Sequence, residues 1–152
     1  MMYRSSARYK DACEVGKIEY AASYRTLLWW VMIRQDNIAL ANKLIEEGYT
    51  ELILMGAGDL CDLFLREISG TKINLAGIIE DNIKKYGSKY KKNNICCLAD
   101  VSLDFLEGKK IIVMYRDKFN TCVEQLQNKG VKIEDIISIE ELMSYILYKE
   151  RA

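Results

Sequence analysis

From residue 49 onward, short runs of apolar residues alternate with longer segments in which apolar residues recur every three or four positions. The apolar runs cover residues 52–55, 73–79, 94–98, 110–115 and 135–139. Strands that are buried on both faces have such continuous apolar runs, and regular alternation with amphipathic helices is typical of a parallel sheet. The pattern therefore predicts an α/β fold with a parallel sheet of about five strands in the order 3-2-1-4-5 and helices on both faces.

The first part of the chain has a different pattern. Residues 1–17 are polar and have no period, so we expect them to form a flexible arm. Residues 18–48 are predicted to be an N-terminal segment of two helices, the second of which begins with Asp36 as its cap and ends at Gly48. Residues 49–152 are predicted to form the Rossmann-like sheet domain. The apolar positions of the first helix are Tyr20, Tyr24, Leu27, Leu28 and Val31.

Composition excludes several classes of function. Lys plus Arg and Asp plus Glu each total 22, so no overall electric field favours nucleic acid. The five cysteines form no C-x-x-C pair and there is no histidine, which argues against a disulfide framework, a metal site and a histidine-activated nucleophile. No apolar run approaches the roughly 20 residues of a membrane-spanning helix. We therefore expect a cytoplasmic protein with no membrane span, nucleic-acid partner or bound metal.

A Gly-Ala-Gly turn follows the first predicted strand and leads into a helix. Such a turn directs free backbone N–H groups and the positive helix end toward the space above the sheet, where phosphate can bind. The third glycine of the full G-x-G-x-x-G pattern is replaced by Cys61, and the carboxylate of Asp59 competes with phosphate for the helix end. The alternative is a tight bend without a ligand. The candidate binding residues here are Gly56, Ala57, Gly58, Asp59 and Leu60.

Four further residues are candidates for the same site. Dinucleotide-binding folds place an acidic residue about 20 positions after the turn, at the end of the second strand, where it binds ribose hydroxyls. Glu80 occupies that place and Asp81 follows it. Tyr115 and Arg116 end the fourth strand, beside the crevice where the strand order reverses.

Four segments of the chain resemble a known group of proteins. They read "YTELILMGAGDLCDLFLREI", "LAGIIEDN", "KIIVMYRD" and "VKIEDIISIEEL". Together they resemble the small Rossmann domains of bacterial glycan-biosynthesis proteins, which precede nucleotide-sugar dehydratases or are appended to glycosyltransferases and methyltransferases. The resemblance covers about residues 36 to 142. It implies a nucleotide, nucleotide sugar or dinucleotide such as NAD(P) as the ligand, and surface-polysaccharide biosynthesis as the context.

Three functional hypotheses remain open from the sequence. The first is a binding module for such a nucleotide ligand, with Glu80 on a ribose. The second is a small sugar-nucleotide-modifying enzyme or oxidoreductase, in which Tyr115 or Asp81 would transfer protons. The third is an assembly protein that keeps the Rossmann-like fold and binds nothing at the turn.

Other residues invite weaker interpretations. The lysine-rich tract 84–92 is predicted to be a mobile, solvated loop, and its charges and tyrosines offer an alternative phosphate clamp. Cys61 lies at the first turn of a helix, which can lower a thiol pKa. Trp29 and Trp30 are adjacent, so they cannot both face one core from a helix. We therefore expect one of them to mark a homodimer contact of the N-terminal helix.

Overall fold

The structure is a computed structural model that describes residue 21 and residues 23–151, so the predicted arm at residues 1–17 lies outside the described residues. It contains a five-stranded, all-parallel sheet in the order β3-β2-β1-β4-β5, which confirms the predicted fold class and strand order. The strands are β1 (Glu51–Met55), β2 (Asn74–Ile79), β3 (Ile95–Cys96), β4 (Lys110–Val113) and β5 (Ile136–Ser138). The helices are α1 (23–35), α2 (Leu40–Glu46), α3 (Asp59–Ile68), α4 (Ile83–Tyr86), α5 (Leu103–Leu106), α6 (Phe119–Asn128) and α7 (Ile139–Arg151).

The register of the central strands aligns their carboxyl ends. Met55, the last residue of β1, pairs with Ile79 of β2 on one side and with Val113 of β4 on the other. The chain leaves β1 toward β2 through α3, whereas it leaves β4 toward β5 through α6. The strand order therefore reverses between β1 and β4, and the segments that follow β1, β2 and β4 meet at one edge of the sheet.

Two apolar clusters cover the two faces of the sheet. One joins Leu52, Leu54 and Ile78 to side chains of α1, α2, α3 and α7. The other joins alternate strand residues such as Ile53 and Ile111 to α5 and α6. The N-terminal helices thus pack in the same cluster as the sheet.

The side of α1 that faces the core is not the side that carries Tyr24, Leu27, Leu28 and Val31. Trp30 is only 5% exposed, and its indole Nε1 donates a hydrogen bond to Glu67 at 3.0 Å. Its ring also meets Phe64 edge-on, with 6.3 Å between the ring centroids. Because a tryptophan ring buries more apolar area than a leucine side chain, this side of α1 is buried in preference to the side with the leucines. The stripe of Tyr24, Leu27, Leu28 and Val31 remains 41 to 58% exposed.

Two predicted details of the helices need correction. Asp36 does not cap α2: the N-cap is Ala39, and the Asp36 carboxylate pairs with Arg151 at 3.0 Å. The periodicity of α3 predicts that Leu60, Leu63, Phe64 and Ile68 face inward, but Leu63 is exposed and Cys61 is buried in its place. Ser138 followed by Glu141 predicts a cap for the last helix, and this cap is confirmed, since the Ser138 hydroxyl accepts a hydrogen bond from the Glu141 N–H at 3.1 Å.

Candidate nucleotide-binding cleft

The glycine turn after β1 adopts a conformation that requires both glycines. Gly56 has φ +115° and Gly58 has φ +128°, and residues other than glycine rarely adopt such backbone conformations. A Cβ on Gly56 would lie 3.2 Å from the backbone nitrogen of Tyr115. At Gly58 the nearest atom to such a Cβ would be the Tyr86 hydroxyl oxygen at 3.9 Å, so this glycine borders open space.

Glu80 holds this turn from the end of β2. Its side chain is 4% exposed, and its Oε1 accepts a hydrogen bond from the Ala57 N–H at 2.9 Å. Its Oε2 accepts two more, from the Asn82 N–H and from the Tyr115 hydroxyl, each at 2.9 Å. One buried carboxylate therefore ties together the segments that follow β1, β2 and β4, and protein donors already occupy both of its oxygens.

Residues 82–94, here called the strap, pack against the turn. Tyr90 is 2% exposed, and its hydroxyl donates to Asp62 at 2.5 Å and accepts from the Gly58 N–H at 3.3 Å. Lys89 forms an ion pair with the same aspartate at 2.7 Å. Burial alone would raise the pKa of Asp62, but the bonds from Lys89 and Tyr90 outweigh it and lower this pKa. The prediction of a mobile, solvated loop at 84–92 is wrong for Tyr90, because its ring and hydroxyl are both packed.

A cleft of about 1010 Å³ opens above the carboxyl ends of β1, β2 and β4. It lies where the strand order reverses, which is the usual ligand position in open α/β sheets. Its walls are the glycine turn with the start of α3, the end of β2 with the strap, and the segment from β4 into α6. The lining includes Ala57, Gly58, Asp59, Leu60, Cys61, Glu80, Asp81, Lys85, Tyr86, Lys89, Tyr115, Arg116, Asp117 and Lys118.

Charges of both signs surround the cleft. Three cationic side chains, Lys85, Arg116 and Lys118, form no ion pair with any described residue. Lys85 lies over the Tyr86 ring and Lys118 over the Tyr115 ring. At the start of α3, the N–H groups of residues 59–61 have no hydrogen-bond acceptor within the described ranges. Local groups thus provide several unused donors for an anion.

The Cys61 thiol and the Tyr115 hydroxyl are held in their neutral forms. Burial raises the pKa of the Cys61 thiol to about 12, with further contributions from Asp62 and Glu80. The suggested lowering of this thiol pKa by the helix end is therefore wrong, because burial dominates. Burial and then the bond to Glu80 raise the pKa of Tyr115 above its ordinary value. Neither group acts as a base near neutral pH.

Eight of the nine candidate residues named from the sequence line the cleft. The exception is Gly56, which lies beneath it against the backbone of Tyr115. Sequence reasoning did not assign Asp62 to the site, and it weighed Tyr86 and Tyr90 only as part of the lysine-rich tract 84–92. The i, i+4 spacing of the two tyrosines was a usable signal, because it puts both rings on one side of a helical segment. Their centroids are 6.1 Å apart.

Comparisons with known proteins give no match for this chain among family models, characterised proteins or solved structures. The resemblance to the small domains of glycan biosynthesis stays a prediction based on the quoted segments. Within residues 21 and 23–151, no group of three or more His, Cys, Asp or Glu side chains is arranged to hold a metal ion. No helix in these same ranges combines the length and apolar character needed to cross a bilayer.

Proposed function

We propose that this protein binds a nucleotide, nucleotide sugar or dinucleotide in the cleft above β1, β2 and β4. The observation that carries the proposal is the joint position of the cleft and its donors. The cleft lies at the reversal of strand order, beside a glycine turn and a helix start with unused N–H groups. Lys85, Arg116 and Lys118, which form no ion pair with a described residue, face it from the other walls.

Each wall has a distinct role in this proposal. The cations and the first turn of α3 bind the negative charge of the ligand. Glu80 chiefly holds the glycine turn in place. Glu80 is buried and its two oxygens already accept three hydrogen bonds, so a ribose hydroxyl would find little free acceptor capacity there.

Binding without catalysis is the favoured form of the proposal. Tyr115 keeps its proton near neutral pH because its pKa is raised, so it does not serve as a general base. Among the residues first considered for proton transfer, Asp81 alone remains, and it is exposed at the rim. A cytoplasmic role in bacterial surface-glycan biosynthesis follows only from the resemblance and belongs to the proposal.

A thermal-shift screen with NAD, NADP, UDP-glucose and the nucleoside monophosphates tests binding. A ligand at 100 times its dissociation constant adds about 2.7 kcal/mol of stability, which is about 5 to 10 °C for a domain of this size. Gly58→Val should abolish the shift, because the branched side chain fills the space beside Tyr86. Gly48→Val is the matched control: it also has positive φ, but it lies before β1, at the opposite edge of the sheet.

Asp59→Asn provides a test in the opposite direction. Removing a negative charge from the start of α3 should tighten an anionic ligand about two- to fivefold. Asp104→Asn removes a charge from the start of α5, which does not line the cleft, and should leave affinity unchanged. No shift with any ligand, or the same affinity in Gly58→Val as in the unmodified protein, would refute the proposed site.

We also propose a homodimer through α1, in which the contact is made by the exposed apolar stripe and not by Trp29 or Trp30. Trp30 is buried and Trp29 is half-buried, so neither provides a freely exposed contact. The exposed residues Tyr24, Leu27, Leu28 and Val31 recur at helical spacing and form one continuous stripe. A self-complementary apolar stripe on one helix suits a two-fold dimer, the commonest closed assembly.

A further inference from the structure

Two N–H groups of the glycine turn already have acceptors inside the protein. The Ala57 N–H donates to Glu80 at 2.9 Å, and the Gly58 N–H donates to the Tyr90 hydroxyl oxygen at 3.3 Å. In a dinucleotide-binding turn, backbone N–H groups at these positions approach the pyrophosphate. Here a carboxylate and a phenol oxygen occupy the positions of the ligand's acceptors.

The position of Tyr90 is fixed by several contacts. The side chain is 2% exposed, and its hydroxyl proton is directed to Asp62, which Lys89 also holds. The hydroxyl has two acceptors within reach, the Asp62 carboxylate at 2.5 Å and the Gly58 carbonyl oxygen at 3.2 Å, and the nearer, charged one takes the proton. The phenol oxygen then accepts from the Gly58 N–H. Burial, followed by the bond to Asp62, raises the pKa of Tyr90 to about 12, so the hydroxyl stays neutral at physiological pH.

The charges around the turn act in the same direction. The carboxylates of Glu80 and Asp62 lie within hydrogen-bond distance of groups that contact the turn, and Asp59 begins α3. Lys89 offsets the charge of Asp62, whereas Glu80 and Asp59 form no ion pair with a described residue. A pyrophosphate on Ala57 and Gly58 would therefore find its two donors occupied and would lie beside two carboxylates that no described cation offsets.

We propose that Tyr90 is a specificity-determining residue that, with Glu80, closes the glycine turn to pyrophosphate. The cleft then selects mononucleotides over dinucleotides whose pyrophosphate must cross the turn. This inference rests on the proposed function, because it concerns the ligand class of the same cleft. Two side chains, Glu80 and Tyr90, would then prevent a Rossmann-like sheet from binding dinucleotides.

Isothermal titration calorimetry of the unmodified protein with NAD, NADP and the four common nucleoside monophosphates gives the first test. NAD and NADP should bind at least about tenfold more weakly than the best monophosphate, since a hydrogen bond to a charged acceptor contributes on this scale. Tyr90→Phe frees the Gly58 N–H and should tighten NAD about tenfold, while the best monophosphate changes less than twofold. Tyr145→Phe is the matched control, because its hydroxyl also donates to a carboxylate, that of Glu47, on α7 away from the cleft.

The outcomes separate this inference from the proposed function. Equal affinity of the unmodified protein for NAD and for the best monophosphate overturns the specificity inference and leaves nucleotide binding intact. So does an unchanged ratio of the two affinities in Tyr90→Phe. If no nucleotide binds the unmodified protein or Tyr90→Phe, the proposed function fails and the inference fails with it. The comparison within the unmodified protein decides the matter even when the variant does not fold.

Discussion

Replacement of Glu80 tests how the glycine turn is held, independently of any ligand. In Glu80→Gln one oxygen becomes an amide NH₂ group. If the remaining oxygen keeps the bonds to Asn82 and Tyr115, the NH₂ group faces the Ala57 N–H, and one buried donor loses its acceptor. In the opposite orientation the NH₂ group can donate to the Tyr115 hydroxyl, and the Asn82 N–H loses its acceptor instead. Either way one buried donor is unsatisfied, which costs about 1 to 3 kcal/mol. We expect this loss in the free energy of unfolding.

Removal of the whole carboxylate should cost more. Glu80→Ala loses all three hydrogen bonds, each contributing about 1 to 1.5 kcal/mol, so we expect a loss of about 3 to 5 kcal/mol. Tyr115→Phe removes one donor and leaves the carboxylate two others, so a loss of about 0.5 to 1.5 kcal/mol is expected. The losses in the double variant Glu80→Gln with Tyr115→Phe should not be additive, because both residues share one bond.

Urea unfolding monitored by circular dichroism measures these differences as shifts of the midpoint at constant slope. Asp81→Asn is the control, because this neighbouring carboxylate is exposed and should change stability by less than about 0.5 kcal/mol. A Glu80→Gln variant as stable as Asp81→Asn would mean that the turn does not depend on the carboxylate. The account of Glu80 as an internal acceptor would then be wrong.

Two further predictions concern the thiols and the assembly. Cys61 should react with iodoacetamide at pH 8 only after unfolding, because burial raises its thiol pKa to about 12, whereas half-exposed Cys97 should react in the folded protein. Peptide mapping measures the labelling of both thiols, and rapid labelling of Cys61 in the folded protein would contradict its buried position. Leu27→Glu should convert the dimer to a monomer in light scattering, whereas Leu103→Glu on α5, where the leucine has the same 41% exposure, should not. If the unmodified protein is a monomer at micromolar concentration, the α1 contact is excluded.

The strand pattern of this chain was predictable because its physical cause is local. Each of the five apolar runs overlaps one observed strand. Strand β1 extends one residue beyond its run, whereas the other four strands are shorter than theirs, most of all β3 at Ile95–Cys96, because a run also covers residues that leave the ladder. The position of the cleft followed from the strand order, which brings the ends of β1, β2 and β4 together.

The orientation of α1 was not predictable from its periodicity. Its regular stripe of Tyr24, Leu27, Leu28 and Val31 is exposed, whereas Trp30 and Ile33 face the core. Both sides of this helix are apolar, so period alone does not choose between them. The choice depends on partners far along the chain, such as Phe64 and Glu67 of α3, which a local pattern does not contain.

The roles of the site residues were less predictable than their positions. Spacing placed Glu80 at the end of β2, but not the three donors that its carboxylate accepts. Those donors belong to three separate segments and meet only through the sheet. Tyr90 likewise lies in a lysine-rich tract whose composition favours solvent, and its burial depends on partners outside the tract, such as Gly58 of the turn and Asp62 of α3.

Cys61 replaces the third glycine of the motif. This substitution has less bearing on ligand choice than the change in the motif suggests. That position governs how closely the helix packs on the strand, and here the thiol is fully buried in the cluster that joins α3 to β1. The substitution is thus absorbed by the core, while Gly56 and Gly58 keep the backbone conformation of the turn. We therefore expect ligand choice to be decided above the turn, where Glu80 and Tyr90 already accept hydrogen bonds from the Ala57 and Gly58 N–H groups.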